Sequence, residues 1–278
     1  MTERKNIELG GMTVEYTDTG SGPTILFIHG VYVGGALWSE TIKMLDGFRC
    51  IAPTLPLGAH QIPSKGADVS TRATIVRILD MIEALDLHEV TLVGNDTGGG
   101  LCLALLGTPH PASSRIARLV LTNCDSYEHF PPEGFTKITQ MCAKRPRMGA
   151  LMLRYLASKR GRKFFLKSVC ATAPHEPIAT DLFENFGGSN ALVRDAVATS
   201  ATVEPSVTLS TAHAIPGFDK PVLLAWGDND ALFPVEHAER LAADFPNAQL
   251  QLFPGAKTYL MIDQPKELAT AIAEFVRG

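Results

Sequence analysis

Five short apolar runs constrain this chain most: TILFI (24–28), FRCIAP (48–53), VTLVG (90–94), RLVLT (118–122) and PVLLAWG (221–227). They are close to continuously apolar, which is how strands read when both faces are buried in a parallel sheet. Between them lie stretches with helical spacing. Ile75, Ile78, Leu79, Ile82 and Leu85 predict a helix over 70–86, and further helices are expected at 37–46, 98–107, 234–244 and 264–277, with a strand at 248–253. Strand–helix alternation of this kind means a parallel sheet with helices on both faces. Residues 5–20 alternate around Gly10-Gly11 and suit an antiparallel hairpin. The pattern changes over 127–212, where helical segments are broken at Pro131-Pro132, Pro146 and Pro174 and no strand is apparent. Such an insert would lie over the C-terminal edge of the sheet, the edge where open α/β sheets bind ligands.

Composition narrows the functional classes. A chain of 278 residues that is 45% hydrophobic and 19% charged can bury a sizeable core. Net charge is −4 with no basic stretch, which argues against nucleic acid as a partner. The N-terminal MTERKNIELGG has no apolar segment of secretory type, and no apolar run is long enough to span a membrane. The five cysteines (Cys50, Cys102, Cys124, Cys142, Cys170) are scattered without metal-type spacing and read as reduced, buried thiols of a cytoplasmic protein. The expected partner is a small-molecule substrate, with no membrane, metal or cofactor; a homodimer stays open.

The sharpest local signal is VTLVGNDTGGG (90–100), a buried strand running through Gly94-Asn95-Asp96-Thr97-Gly98 into a helix. This is the G-x-nucleophile-x-G shape of a nucleophile elbow, with aspartate at the centre. The competing reading is an ordinary N-D-x-G turn in which Asp96 caps the helix. With ILFIHG (25–30) and WGDNDALFP (226–234), the chain resembles the α/β-hydrolase fold over nearly its whole length, and within it the aspartate-nucleophile branch of haloalkane dehalogenases and epoxide hydrolases. The resemblance implies a mostly parallel, eight-stranded sheet flanked by helices. Residues 1–126 and 213–278 would form the core and 127–212 a helical cap. It implies Asp96 as nucleophile, the N–H groups of Val31 and Thr97 as an oxyanion hole, His29 as a structural residue, and Asp230 as the acid that orients a histidine. Asp228 reads as a turn residue. Some dehalogenases carry the acid after the strand that follows the elbow, which keeps Asp125 as a further catalytic candidate.

The family's histidine lies after the last strand. There this chain reads GAKTYLMIDQP (255–265), with Thr258 at the histidine position and no histidine after His237. A carboxylate that attacks an sp³ carbon forms an ester, and the histidine normally activates the water that releases it. A threonine hydroxyl is no base near neutral pH. Three explanations stay open. Another group serves: Asp230 through water on Thr258, or His129 or His60 from loops at the same edge. Alternatively Asp96 acts as a general base in a lyase or isomerase, or the protein is a silent ligand binder. Dehalogenation is disfavoured, since Trp38 and Trp226 read as core and Val31 stands where many dehalogenases have asparagine. Epoxide opening on a small, mostly apolar substrate fits better, with Tyr127, Tyr155 and Asn123 as candidate donors.

Overall fold

The structure, a computed structural model, describes residues 3–174 and 176–278. Its centre is one eight-stranded sheet: β1 (Arg4–Leu9), β2 (Met12–Gly20), β3 (Thr24–Ile28), β4 (Arg49–Thr54), β5 (Val90–Asp96), β6 (Ile116–Cys124), β7 (Val222–Gly227) and β8 (Ala248–Phe253). The order is β1-β2-β4-β3-β5-β6-β7-β8. Only β2 runs against its neighbours; β4, β3, β5, β6, β7 and β8 are parallel. The β1–β2 pair is the hairpin expected from Gly10-Gly11. The uniformly apolar runs became the central strands, and every residue of β5 and β7 is buried.

Helices fall close to where periodicity puts them: Thr71–Ala84, Thr97–Leu106, Val235–Asp244 and Pro265–Arg277. Ser70 caps the first, its hydroxyl accepting from the Ala73 N–H at 3.1 Å. The helix expected over 37–46 is much shorter, a 3₁₀ turn Gly35–Trp38 followed by one α-turn, Ser39–Ile42. Leu37 and Trp38 are fully buried there, with the indole 5.1 Å from the Phe27 ring, so the segment is a wedge against β3.

Between β6 and β7 the described residues contain helices and no strand: Glu133–Lys144, Pro146–Ala157, Lys159–Val169, Glu176–Leu182, Asn190–Ser200 and Pro205–Leu209. Direct hydrogen bonds fasten this block to the loops at the strand ends. The Gly34 N–H donates to Leu182 O at 3.2 Å and the Tyr259 N–H to Val169 O at 2.8 Å. The Thr199 hydroxyl donates to Pro56 O at 2.7 Å. No helix among the described residues is long and apolar enough to cross a membrane.

The loop after β7 is fixed from inside the core. The indole N–H of Trp226 donates to Phe233 O at 2.8 Å, with both side chains fully buried. Trp226→Phe leaves that carbonyl without its partner. It should lower unfolding free energy by about 1–3 kcal/mol, measured by urea denaturation; an unchanged midpoint would show that the bond holds nothing.

Candidate active site

Strand β5 ends on Asp96, whose backbone lies at φ 52°, ψ −131° before the helix Thr97–Leu106 begins. Positive φ in a non-glycine residue costs on the order of 1–3 kcal/mol and persists only where its surroundings enforce it. Here β3 and β6 pair with β5 on its two sides. The Asp96 side chain makes no capping hydrogen bond to the helix, which sets aside the helix-cap reading of the N-D-x-G turn. Instead the carboxyl packs on the loop after β3. A Cβ built on Gly30 would come within 2.2 Å of Asp96 Oδ2, so only glycine fits there.

Backbone N–H groups of Thr97 and Val31 act on the carboxyl and lower its pKa. Burial outweighs them, and the nearby negative charge of Asp230 adds to it, so the group is pushed up to about 7. His29 takes no part. Its Nδ1 donates to Gly30 O at 2.8 Å, and its Nε2 accepts from the Leu55 N–H at 2.8 Å. Burial brings its pKa down to about 4, so it stays neutral and shapes the loop.

Asp230 sits after β7 in a complete set of donors. Its Oδ2 accepts from Asn123 Nδ2 at 2.9 Å and from Thr258 Oγ1 at 2.8 Å, and its Oδ1 accepts from the Leu232 N–H at 2.9 Å. Burial raises its pKa and these donors oppose the rise. Thr258 thus lies against the acid, in a turn that Asn95 ties back to the elbow strand by donating to Thr258 O at 2.7 Å. Asp228 caps the neighbouring turn, accepting from the Gly255 N–H at 2.7 Å. Asp125 follows β6, fully buried, with neither carboxyl oxygen in a well-formed hydrogen bond. Burial and the Asp96 charge push its pKa well up, and the Thr97 hydroxyl beside it pulls weakly the other way.

The structure therefore gathers Asp96, Asp125, Asp230, Val31, Thr97 and Thr258. Other candidates go elsewhere. His60 Nε2 pairs with Asp195 Oδ2 at 3.2 Å, on the helix Asn190–Ser200. His129 stacks on His237 with ring centroids 4.2 Å apart and lies 3.6 Å from Glu128. No hydrogen bond among the described residues joins either imidazole to Asp96, Asp125 or Asp230. His237 is half-buried under that stack. Tyr127 donates its hydroxyl to Asp244 beneath the Arg240 guanidinium, 3.7 Å from the ring, and Tyr155 is 62% exposed on the outside of its helix. Asn123 spends its amide on Gly227 and Asp230. Tyr127 and Asn123 thus have their donors engaged, and Tyr155 faces solvent.

Three residues near the centre escaped the sequence. Tyr32 and Tyr259 are buried, each feels the Asp96 charge, and the Tyr259 hydroxyl has no partner. Tyr32 shares a 3.0 Å hydrogen bond with Ser200. With Phe165, Phe183 and Phe186 they form a buried aromatic group. Asn95 is the third. A polar residue inside an otherwise apolar strand was the available signal.

Among the described residues, Asp80, Glu83 and His110 form one cluster with metal-type donors. His110 Nδ1 accepts from the Ala112 N–H, so the proton is on Nε2, which donates to Asp80 at 3.2 Å. That arrangement is a histidine–carboxylate pair outside the elbow.

Residues 23–265 match the α/β-hydrolase fold family. Haloalkane dehalogenase 2 of Mycobacterium tuberculosis is 27% identical over 274 residues, covering 94% of this chain and 90% of its own. A cis-3-alkyl-4-alkyloxetan-2-one decarboxylase of Xanthomonas campestris is 25% identical over 282 residues, covering 96% and 93%. Among solved structures, a thermophilic esterase from Thermogutta terrifontis aligns with TM-score 0.77 at 22% identity, over 99% of this chain and 98% of its own. A haloalkane dehalogenase from Bradyrhizobium elkani reaches 0.83 at 18% identity, over 100% and 98%. At these identities the solved structures speak to the fold alone.

The raised pKa of Asp96 has a consequence for stability. The folded value, about 7, lies above the ordinary carboxyl value of 3.8. The folded state therefore binds this proton more tightly, and stability falls as pH rises from about 4 to about 7. Asp96→Asn removes that slope. It should be more stable than wild type by roughly 2–4 kcal/mol at pH 8 and similar at pH 4, measured by denaturant titration. Parallel pH profiles for the two proteins would contradict the burial argument.

Proposed function

The chain belongs to the α/β-hydrolase fold family, and from that premise we propose that it is an enzyme in which Asp96 attacks an sp³ carbon of a small, mostly apolar substrate, opening an epoxide. One observation carries the reading: a buried carboxyl stands at the apex of a strained strand-to-helix turn, with the N–H groups of Val31 and Thr97 acting on it. Those two N–H groups suit the oxyanion that forms when the resulting ester is cleaved. The aromatic group of Tyr32, Phe165, Phe183, Phe186 and Tyr259 supports an apolar substrate. Thr258 stands at the place of the family's histidine and keeps a hydrogen bond to Asp230, so the acid's scaffold persists without the base it would orient.

A second reading is favoured by the same carboxyl. A group with a pKa near 7 is suited to accept and return protons at neutral pH. Asp96 would then serve as acid and base in a non-hydrolytic cleavage. One relative carries the name of an oxetanone decarboxylase, which is compatible with lyase chemistry on this fold.

Acid-quenched intact-mass analysis separates the two. Wild type mixed with a terminal epoxide should gain the epoxide's mass on Asp96, and Asp96→Asn should gain none. Product formed by wild type without adduct at any quench time would favour the second reading. Neither adduct nor product across an epoxide and alkyl-halide panel would overturn the nucleophile reading.

A further inference from the structure

The missing histidine leaves the site without an evident proton carrier, and one buried group is unused. Asp125 is the residue after Cys124, which pairs with Asp96 across the parallel strands β5 and β6. Its N–H donates to Asp96 O at 3.4 Å. Adjacent strands lie about 4.8 Å apart, so Asp125 stands diagonally beside the nucleophile. Its side chain runs along the first turn of the elbow helix. A Cβ on Gly100 would be 2.9 Å from Asp125 Cβ, and Thr97, one turn earlier on the same face, lies beside the carboxyl.

The carboxyl is fully buried and neither oxygen has a well-formed hydrogen bond. A buried polar group left in that state is expensive. Among the described residues the charged group acting on it is Asp96, of like sign. Two carboxyls so placed cannot both ionise cheaply, and their environments divide the roles. Asp96 faces two N–H donors and takes the charge. Asp125 faces none and keeps the proton.

We propose that Asp125 is first the acid and then the base of the Asp96 reaction, and that the substrate is accordingly an epoxide rather than an alkyl halide. The proposal rests on Asp96 as nucleophile. An Asp96 carboxylate oxygen bonds to a ring carbon, the C–O bond of the epoxide breaks, and the ring oxygen takes the Asp125 proton. The result is a hydroxyalkyl ester on Asp96 and a carboxylate at Asp125. That carboxylate then takes a proton from water as the water oxygen adds to the ester carbonyl, whose oxyanion lies on the Val31 and Thr97 N–H groups. Collapse of the adduct expels the alkoxide, which takes the proton back from Asp125. Asp96 is left as the carboxylic acid and passes its proton to Asp125, so epoxide and water become diol and both carboxyls return to their starting states. Asp230 is the poorer base, because Asn123, Thr258 and the Leu232 N–H already hold its lone pairs. A halide leaves without a proton, so Asp125 would give an alkyl halide no help in departure.

Asp125→Asn keeps the shape and removes the proton. Wild type and variant are mixed separately with 1,2-epoxyhexane and 1-bromohexane, quenched in acid and weighed intact. In the variant, adduct formation from the epoxide should slow by about 10²–10⁴-fold, alkylation by the bromide should be unaffected, and the bromide adduct should persist. Opening and release of the epoxide at the wild-type rate would overturn the proposal, as would equal slowing with both electrophiles, which marks a structural role. Should the variant not fold, wild type in D₂O supplies the test: ring opening slows and bromide alkylation does not. Equal rates in both solvents for ring opening would overturn the acid step. A wild type that forms no adduct and no product with either compound fails at Asp96 itself, and the role of Asp125 falls with it.

Discussion

A carboxyl at the end of a fully buried strand, in a backbone conformation that L-residues avoid, cannot hold itself in place. Asp96 is kept there by strand pairing on both sides, by the helix that begins at Thr97, and by a glycine loop close enough that a Cβ at Gly30 would strike Oδ2. Isolated, an ionised carboxylate so buried costs several kcal/mol. The N–H groups of Val31 and Thr97 offset part of that cost, and a pKa near 7 is the residue of the imbalance. The same carboxyl that weakens the fold above neutral pH is the proposed nucleophile.

Around it, three acids meet three different environments. Asp96 has two backbone donors and a neighbouring charge. Asp230 is held by side-chain and backbone donors from β6, from the turn carrying Thr258 and from its own loop. The Asp125 carboxyl has no well-formed hydrogen bond. Chemistry at one site usually depends on such contrasts, since identical carboxyls acquire distinct roles only through what surrounds them.

Much of the fold was legible because parallel strands in a two-sided core are apolar throughout, and the runs at 24–28, 90–94 and 221–227 say so directly. The elbow was legible because the small residues around Asp96 permit a turn that few other sequences make. What stayed hidden was direction. His60 and His129 lie in loops at the expected edge, yet each is held by a partner distant in sequence or on another element, Asp195 for one and the His237 ring for the other. Tyr155 carries an apolar neighbour at helical spacing, Leu151, but that stripe faces outward. Nothing in the sequence marks Tyr259 after the last strand, and only its burial beside Asp96 with an unpaired hydroxyl gives it weight. Helix 37–46 shrank because its apolar residues serve as a wedge against Phe27.

The central claim is that Asp96 forms an ester whose carbonyl is then attacked by water. A single turnover of an epoxide in H₂¹⁸O, followed by mass analysis of the peptide containing Asp96, tests it directly. The account expects one ¹⁸O in the Asp96 carboxyl and none in the diol from that first turnover. An ¹⁸O found only in the diol, with Asp96 unlabelled, would mean that water attacks the substrate itself and that no ester is made.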